Sequence, residues 1–162
     1  TSAGLIVPRF PTAIQDKLRG YMKKGNTGVI LSNPVDLSDQ GWGIFGNCLR
    51  TIFDYDGIDL LILQIAAGTI PSSEALKALG ALFVDGVVKI RQGSTKPVVI
   101  VVHSLISDDT LWVAAEVERR CGELGIPFYH SLSNAAKAIA RFLDYHERKR
   151  GILRQKAGRG NL

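Results

Sequence analysis

Ile58-Asp59-Leu60-Leu61-Ile62-Leu63-Gln64-Ile65 decides the fold, together with Pro97-Val98-Val99-Ile100-Val101-Val102-His103 further along the chain. Both runs are short and nearly continuous in apolar residues. A strand with one face in water alternates, whereas a strand covered on both faces does not, so the two runs read as neighbours in a parallel sheet. The segment between them fits that reading. Ala67-Gly68-Thr69-Ile70-Pro71 breaks the first strand, Ser72 or Ser73 can cap a helix, and Leu76, Leu79, Phe83, Val87 and Ile90 recur at helical spacing. Gly93 to Lys96 then forms the loop into the next strand. A strand, a helix and a second strand imply a right-handed crossover in an α/β sheet.

The same alternation extends outward. Thr12 and Gln15 have the spacing of a capping box, ahead of a helix with Ile14, Leu18, Tyr21 and Met22 on one stripe and Gly25 at its end. Gly28 to Ser32 reads as a first short strand, and Asn33-Pro34-Val35-Asp36-Leu37 as the loop that leaves it. Phe45, Cys48, Leu49 and Ile52 mark one face of the next helix, and Asp54-Tyr55-Asp56-Gly57 is turn chemistry. Beyond His103, Ser107 caps a helix with Val113, Val117, Cys121 and Leu124 inward. Gly125-Ile126-Pro127 leads to a strand around Phe128 and Tyr129, and Ser131 caps a helix with Ala136, Ile139, Ala140 and Leu143 inward. The expected architecture is a three-layer, flavodoxin-like α/β domain with a mostly parallel open sheet of four to five strands. It spans residues 1–146, with a basic tail or linker over 147–162.

Composition narrows the classes. The chain has 162 residues, 46% hydrophobic and 22% charged, which suits one globular domain. Its apolar runs are too short to span a bilayer, and Leu5-Ile6-Val7 stops at Pro8, so no signal peptide is read there. Cys48 and Cys121 make neither a disulfide framework nor a zinc site, and a reducing cytoplasm is the simplest home. The net charge of +5 belongs to the tail: from Glu147 onward Arg148, Lys149, Arg150, Arg154, Lys156 and Arg159 face one acid. Residues 1–146 hold 14 basic and 14 acidic residues, so no basic face on the body points to nucleic acid.

Ligands of such sheets bind beyond the carboxyl ends of the strands, where helix N-termini favour anions. Four loops fall there, over residues 32–40, 66–73, 103–109 and 130–133. Asn33, Asp36, Ser38, His103 and Ser104 are the phosphate- or ligand-facing candidates. Pro34 holds Asn33 extended, and Asp36 with Ser38 can cap the following helix. His103 beside Ser104, with Asp108 and Asp109 nearby, imitates a hydrolase triad, but Gly-x-Ser-x-Gly is absent from the chain. His130 and His146 are scattered, and no metal-ligand spacing joins the three histidines to the cysteines. Phosphate-loop and dinucleotide fingerprints are missing. Gly41-Trp42-Gly43 and Gly46 sit at a helix start, where close packing explains them. A response-regulator receiver needs an acid where His103 stands.

The ordered motifs resemble the ligase–CoA domain of the NDP-forming acyl-CoA synthetases, the succinyl-CoA synthetase superfamily. Ala3-Gly4-Leu5, Pro8, a helix from Thr12, Asn33-Pro34-Val35-Asp36-Leu37, Asp56 to Leu63, Lys96 to Val102, Gly125-Ile126-Pro127-Phe128-Tyr129 and the alanine-rich 135–142 fall in that domain's order. The resemblance implies a parent enzyme that interconverts acid, CoA and NTP with acyl-CoA, NDP and phosphate through a phosphohistidine. CoA and ATP or ADP with Mg would be bound by a CoA-binding domain and an ATP-grasp unit, the implied partners, and none of these cofactors by this domain. A homo-oligomer is compatible with this arrangement. No Gly-His-Ala-Gly-type loop is present, so none of the three histidines inherits the phosphorylated role, and no catalytic residue is assigned. The glycine-rich start of the first helix would lie upstream of Thr1, so the chain is expected to be a domain that does not catalyse alone. Two other readings keep the architecture: a regulatory pseudo-ligase domain fused to an acetyltransferase, and a stand-alone module that binds a small anion.

Overall fold

The computed structural model describes residues 3–22, 30–37, 42–103 and 107–159. In chain order these form α1 (Thr12–Tyr21), a 3-10 turn (Trp42–Ile44), α2 (Phe45–Phe53), β1 (Leu61–Ala66), a second 3-10 turn (Ala67–Thr69), α3 (Ser73–Arg91), β2 (Val98–His103), α4 (Asp108–Glu123), β3 (Phe128–Tyr129) and α5 (Leu132–Arg159). Among the described residues the sheet has three strands in the order β1-β2-β3, all parallel. It is an open α/β sheet, with fewer strands than the four to five expected. Ile30 to Ser32, the described part of the expected first strand, is not in the sheet, and its other residues lie outside the described ones.

Register explains which side chains are buried. Leu61, Leu63 and Ile65 lie beside Val98, Ile100 and Val102. These face the larger core, built with Leu49, Ile52, Leu76, Val84, Val87, Val117 and Cys121 from α2, α3 and α4. Alternate residues point the other way, as strand geometry requires. There Val99 and Val101 pack with Leu60, Ile62, Tyr129, Ala135 and Ile139, so α5 covers that face. Cover is complete over β2, where only His103 emerges, and partial over β1, where Gln64 is exposed. The expectation of full cover on both faces therefore holds for β2 and fails for β1, which among the described residues lies at the edge of the sheet.

Helix ends follow local chemistry. Ser72 caps α3 by accepting from the Ala75 N–H at 3.1 Å, and Ser107 makes a capping box with Thr110 on α4. The Thr12–Gln15 box does not form. Pro11 is the N-cap of α1, and Gln15 donates its side-chain amide to the Phe10 carbonyl at 2.7 Å instead. Pro11 cannot donate a backbone N–H, so the reciprocal half of a box has no donor there. Leu124 and Leu143, expected inward, are exposed. Leu124 lies past the end of α4, and Leu143 lies beyond Ala135 and Ile139, which seat α5 on the sheet. Helix α5 runs on to Arg159, so the basic stretch is helical as far as that residue.

Two glycines set helix approach. A Cβ at Gly80 would stand 2.5 Å from Val117 Cγ2, where α3 meets α4, and one at Gly86 would stand 3.0 Å from Leu49 Cδ2. Close packing does not explain Gly43 and Gly46, since a Cβ at either would meet nothing within 4 Å. Gly41 lies outside the described residues.

Candidate functional site

Parallel pairing brings the carboxyl ends of β1, β2 and β3 to one edge, and α3, α4 and α5 each begin there. The chain leaves β1 through Ala67–Thr69, where Thr69 Oγ1 donates to the Ala66 carbonyl at 2.8 Å. It leaves β3 through His130 and Ser131, whose Oγ lies 3.4 Å from the Asn134 N–H. The first N–H groups of each helix have no partner within the helix and favour negative charge, which Glu74 on α3 and Asp108 and Asp109 on α4 already supply in part. At the start of α3 a hydrogen bond from its own backbone N–H, then one from the Ser72 hydroxyl, holds the Glu74 carboxyl below the usual range.

His103 ends β2 at this edge. Its Nε2 lies 2.8 Å from Gln64 Nε2 on β1. An amide nitrogen only donates, so His103 Nε2 is the acceptor in this contact. The pair sits on the α5 face, because Gln64 lies opposite Val101 and Ala66 lies opposite His103. Gln64 is, besides Asp59, a polar side chain in the strand run Ile58 to Ile65, but its partnership with His103 needed the register. His130 faces Glu118 at 3.3 Å, with both side chains exposed, and its ring meets Phe128 edge-on at 5.1 Å.

Asn33 departs from the expected extended conformation. Its φ is +77° and its bond to Pro34 is cis. Asparagine tolerates this left-handed region better than most residues. Its Nδ2 donates to the Pro8 carbonyl at 2.9 Å, and the Phe10 N–H donates to the Ser32 carbonyl at 3.0 Å. The loop thereby ties the segment before α1 to the chain after it. Asp36 is exposed, and its N–H donates to the Ile30 carbonyl at 3.1 Å. It does not cap α2, whose N-cap is Ile44 after a 3-10 turn. Ser38 and Ser104 lie outside the described residues.

Sequence reasoning also missed Lys96. Its Nζ donates to the carbonyls of Phe53 at 2.6 Å and Tyr55 at 2.9 Å, and lies 5.3 Å from the centre of the Phe53 ring. A cation thus closes the C-terminus of α2, where free carbonyls carry the negative end of the helix dipole. The two thiols are inert packing groups. Burial pushes Cys48 and Cys121 up to about 11, the latter against a smaller opposing pull from Arg120. Among the described residues no three His, Cys, Asp or Glu side chains stand together to hold a metal. No described helix is long and apolar enough to cross a membrane.

Comparison with family models, curated proteins and solved structures gives no match.

Proposed function

We propose that this chain is a flavodoxin-like ligase–CoA domain of an NDP-forming acyl-CoA synthetase, working with a histidine-bearing domain and not alone. One observation carries the reading. The motifs that resemble that family occur in its order and fall on successive pieces of one parallel α/β unit. Asn33–Leu37 precedes α2, Asp56–Leu63 runs into β1, Lys96–Val102 into β2, Gly125–Tyr129 into β3, and the alanine-rich stretch lies in α5.

In this reading the chain's own contribution is electrostatic and positional. Helix N-termini at the sheet edge supply fixed N–H dipoles to a transferring phosphoryl group, which gains most from donors that need no reorganisation. Gln64 orients the His103 ring, and the Asn33 loop ties the segment before α1 to the chain that leads to α2. CoA, nucleotide and Mg²⁺ are assigned to the partner domains, as the family resemblance implies. His103 is a positioning group in this scheme and is not the phosphorylated histidine.

The test is an acyl-CoA synthesis assay with a carboxylic acid, CoA, ATP and Mg²⁺. The isolated chain is expected to make no acyl-CoA, and the native assembly that contains it is expected to make it. Turnover by the isolated chain at an ordinary enzyme rate, or a native assembly without this activity, contradicts the proposal.

A further inference from the structure

Helix α5 is longer than the sheet it covers. A six-residue strand such as β2 spans roughly 20 Å, and the 28 residues of α5 span roughly 42 Å. The face of α5 that seats on the sheet contains Ala135 and Ile139. At helical spacing that face continues through Phe142 and His146. Burial falls away along it: Ala135 is 0% exposed, but Phe142 is 63%, Leu143 47%, Tyr145 57% and Ile152 55% exposed. The His146 ring lies 4.3 Å from Phe142 and 5.3 Å from Tyr145, so three rings cluster on the overhang. An open depression of about 410 Å³ runs beside it, lined by Leu5, Ala140 and Leu143 together with the charged Arg141, Asp144 and Glu147.

Charge selects the occupant. From Phe142 to Arg159 the chain carries six basic residues against Asp144 and Glu147, and Asp144 is engaged by Arg148. Two such helices brought together repel, which disfavours a second copy. The aromatic side chains need an apolar surface as well as negative charge, and the rest of the chain, with equal numbers of acids and bases over 1–146, adds no net positive charge that would favour nucleic acid. We propose that α5 from Phe142 onward is a docking helix for an acidic protein surface that presents an apolar stripe. This proposal does not depend on the acyl-CoA synthetase reading.

The probe is an amphipathic helical peptide with glutamates on one face and leucines on the other, compared with its glutamine counterpart. Binding to the full chain is followed by fluorescence anisotropy, with helix content monitored by circular dichroism. The glutamate peptide is expected to bind, and to weaken with added salt. R148E/K149E/R150E is expected to weaken it about tenfold or more, and F142S/I152S by a similar factor. Should the charge-reversed variant lose helix content, the salt series on the unaltered chain and Ile152→Ser alone carry the same test. The proposal is overturned by no saturable binding, by equal binding of the glutamine peptide, or by indifference to the apolar substitutions. Tighter binding to phosphatidylserine vesicles or to single-stranded RNA also overturns it, in favour of a membrane or RNA surface. Acyl-CoA synthesis by the native assembly is read separately, so the two readings fail independently.

Discussion

Lys96→Met tests whether a single ammonium group holds the end of α2 against the start of β2. Methionine keeps the length of the stem and removes the donor. The Phe53 and Tyr55 carbonyls then lose contacts of 2.6 and 2.9 Å, and the Phe53 ring loses a cation 5.3 Å away. A hydrogen bond to a charged group contributes about 1.5–3 kcal/mol, and a cation over an aromatic face about 0.5–1 kcal/mol. Relief of the ammonium's own desolvation and access of water to the freed carbonyls offset part of that sum. The expected net loss is about 2–3 kcal/mol, or roughly 5–10 °C in Tm for a domain of this size. Urea unfolding followed by circular dichroism measures it, with an unchanged m-value to show that the transition itself is intact. Asp85→Ala is the control, because the Arg120–Asp85 pair at 2.8 Å joins a half-buried arginine to an exposed carboxylate and is expected to be worth at most about 1 kcal/mol. A Lys96→Met variant no less stable than that control refutes the reasoning.

Gly80→Ala is expected to destabilise by about 1–3 kcal/mol despite its gain in helix propensity, because the new methyl meets Val117. Adding Val117→Ala in a double-mutant cycle is expected to show a favourable coupling between the two sites. Cys48 and Cys121 are expected to resist thiol reagents near neutral pH until the chain unfolds. Because their folded values are raised from 9.0 to about 11, the unfolded thiols ionise first, so stability present below pH 9 is lost between about pH 9 and 11; C48A/C121A is expected to flatten that slope in urea titrations at stepped pH. His103→Asn is expected to leave the phosphohistidine of the native assembly intact. Loss of phosphoenzyme from a folded His103→Asn variant reassigns that residue.

Continuous apolar runs made β1 and β2 legible, since few arrangements other than a sheet covered on both sides accommodate Pro97 to Val102. Serines at strand-to-helix junctions made the starts of α3 and α4 legible, because an N-cap is a local contact. What escaped was non-local. The conformation of Asn33 depends on Pro8, which lies 25 residues away, and the partner of Lys96 lies more than forty residues upstream. The outward turn of Leu143 depends on where the sheet ends beneath α5, which helical periodicity does not contain. Gln64 and His103 show the same limit: each was visible as a polar interruption or ending of a strand, and only the parallel register makes them neighbours.

The most direct test of the central claim is phosphoenzyme labelling of the native assembly purified through this chain. The account predicts that ATP labelled at the γ-phosphate puts an acid-labile phosphohistidine on a histidine-bearing domain that accompanies this chain, and that CoA with a carboxylic acid discharges it. An assembly in which no acid-labile phosphoprotein forms, or in which the label sits on His103, His130 or His146 of this chain, contradicts it.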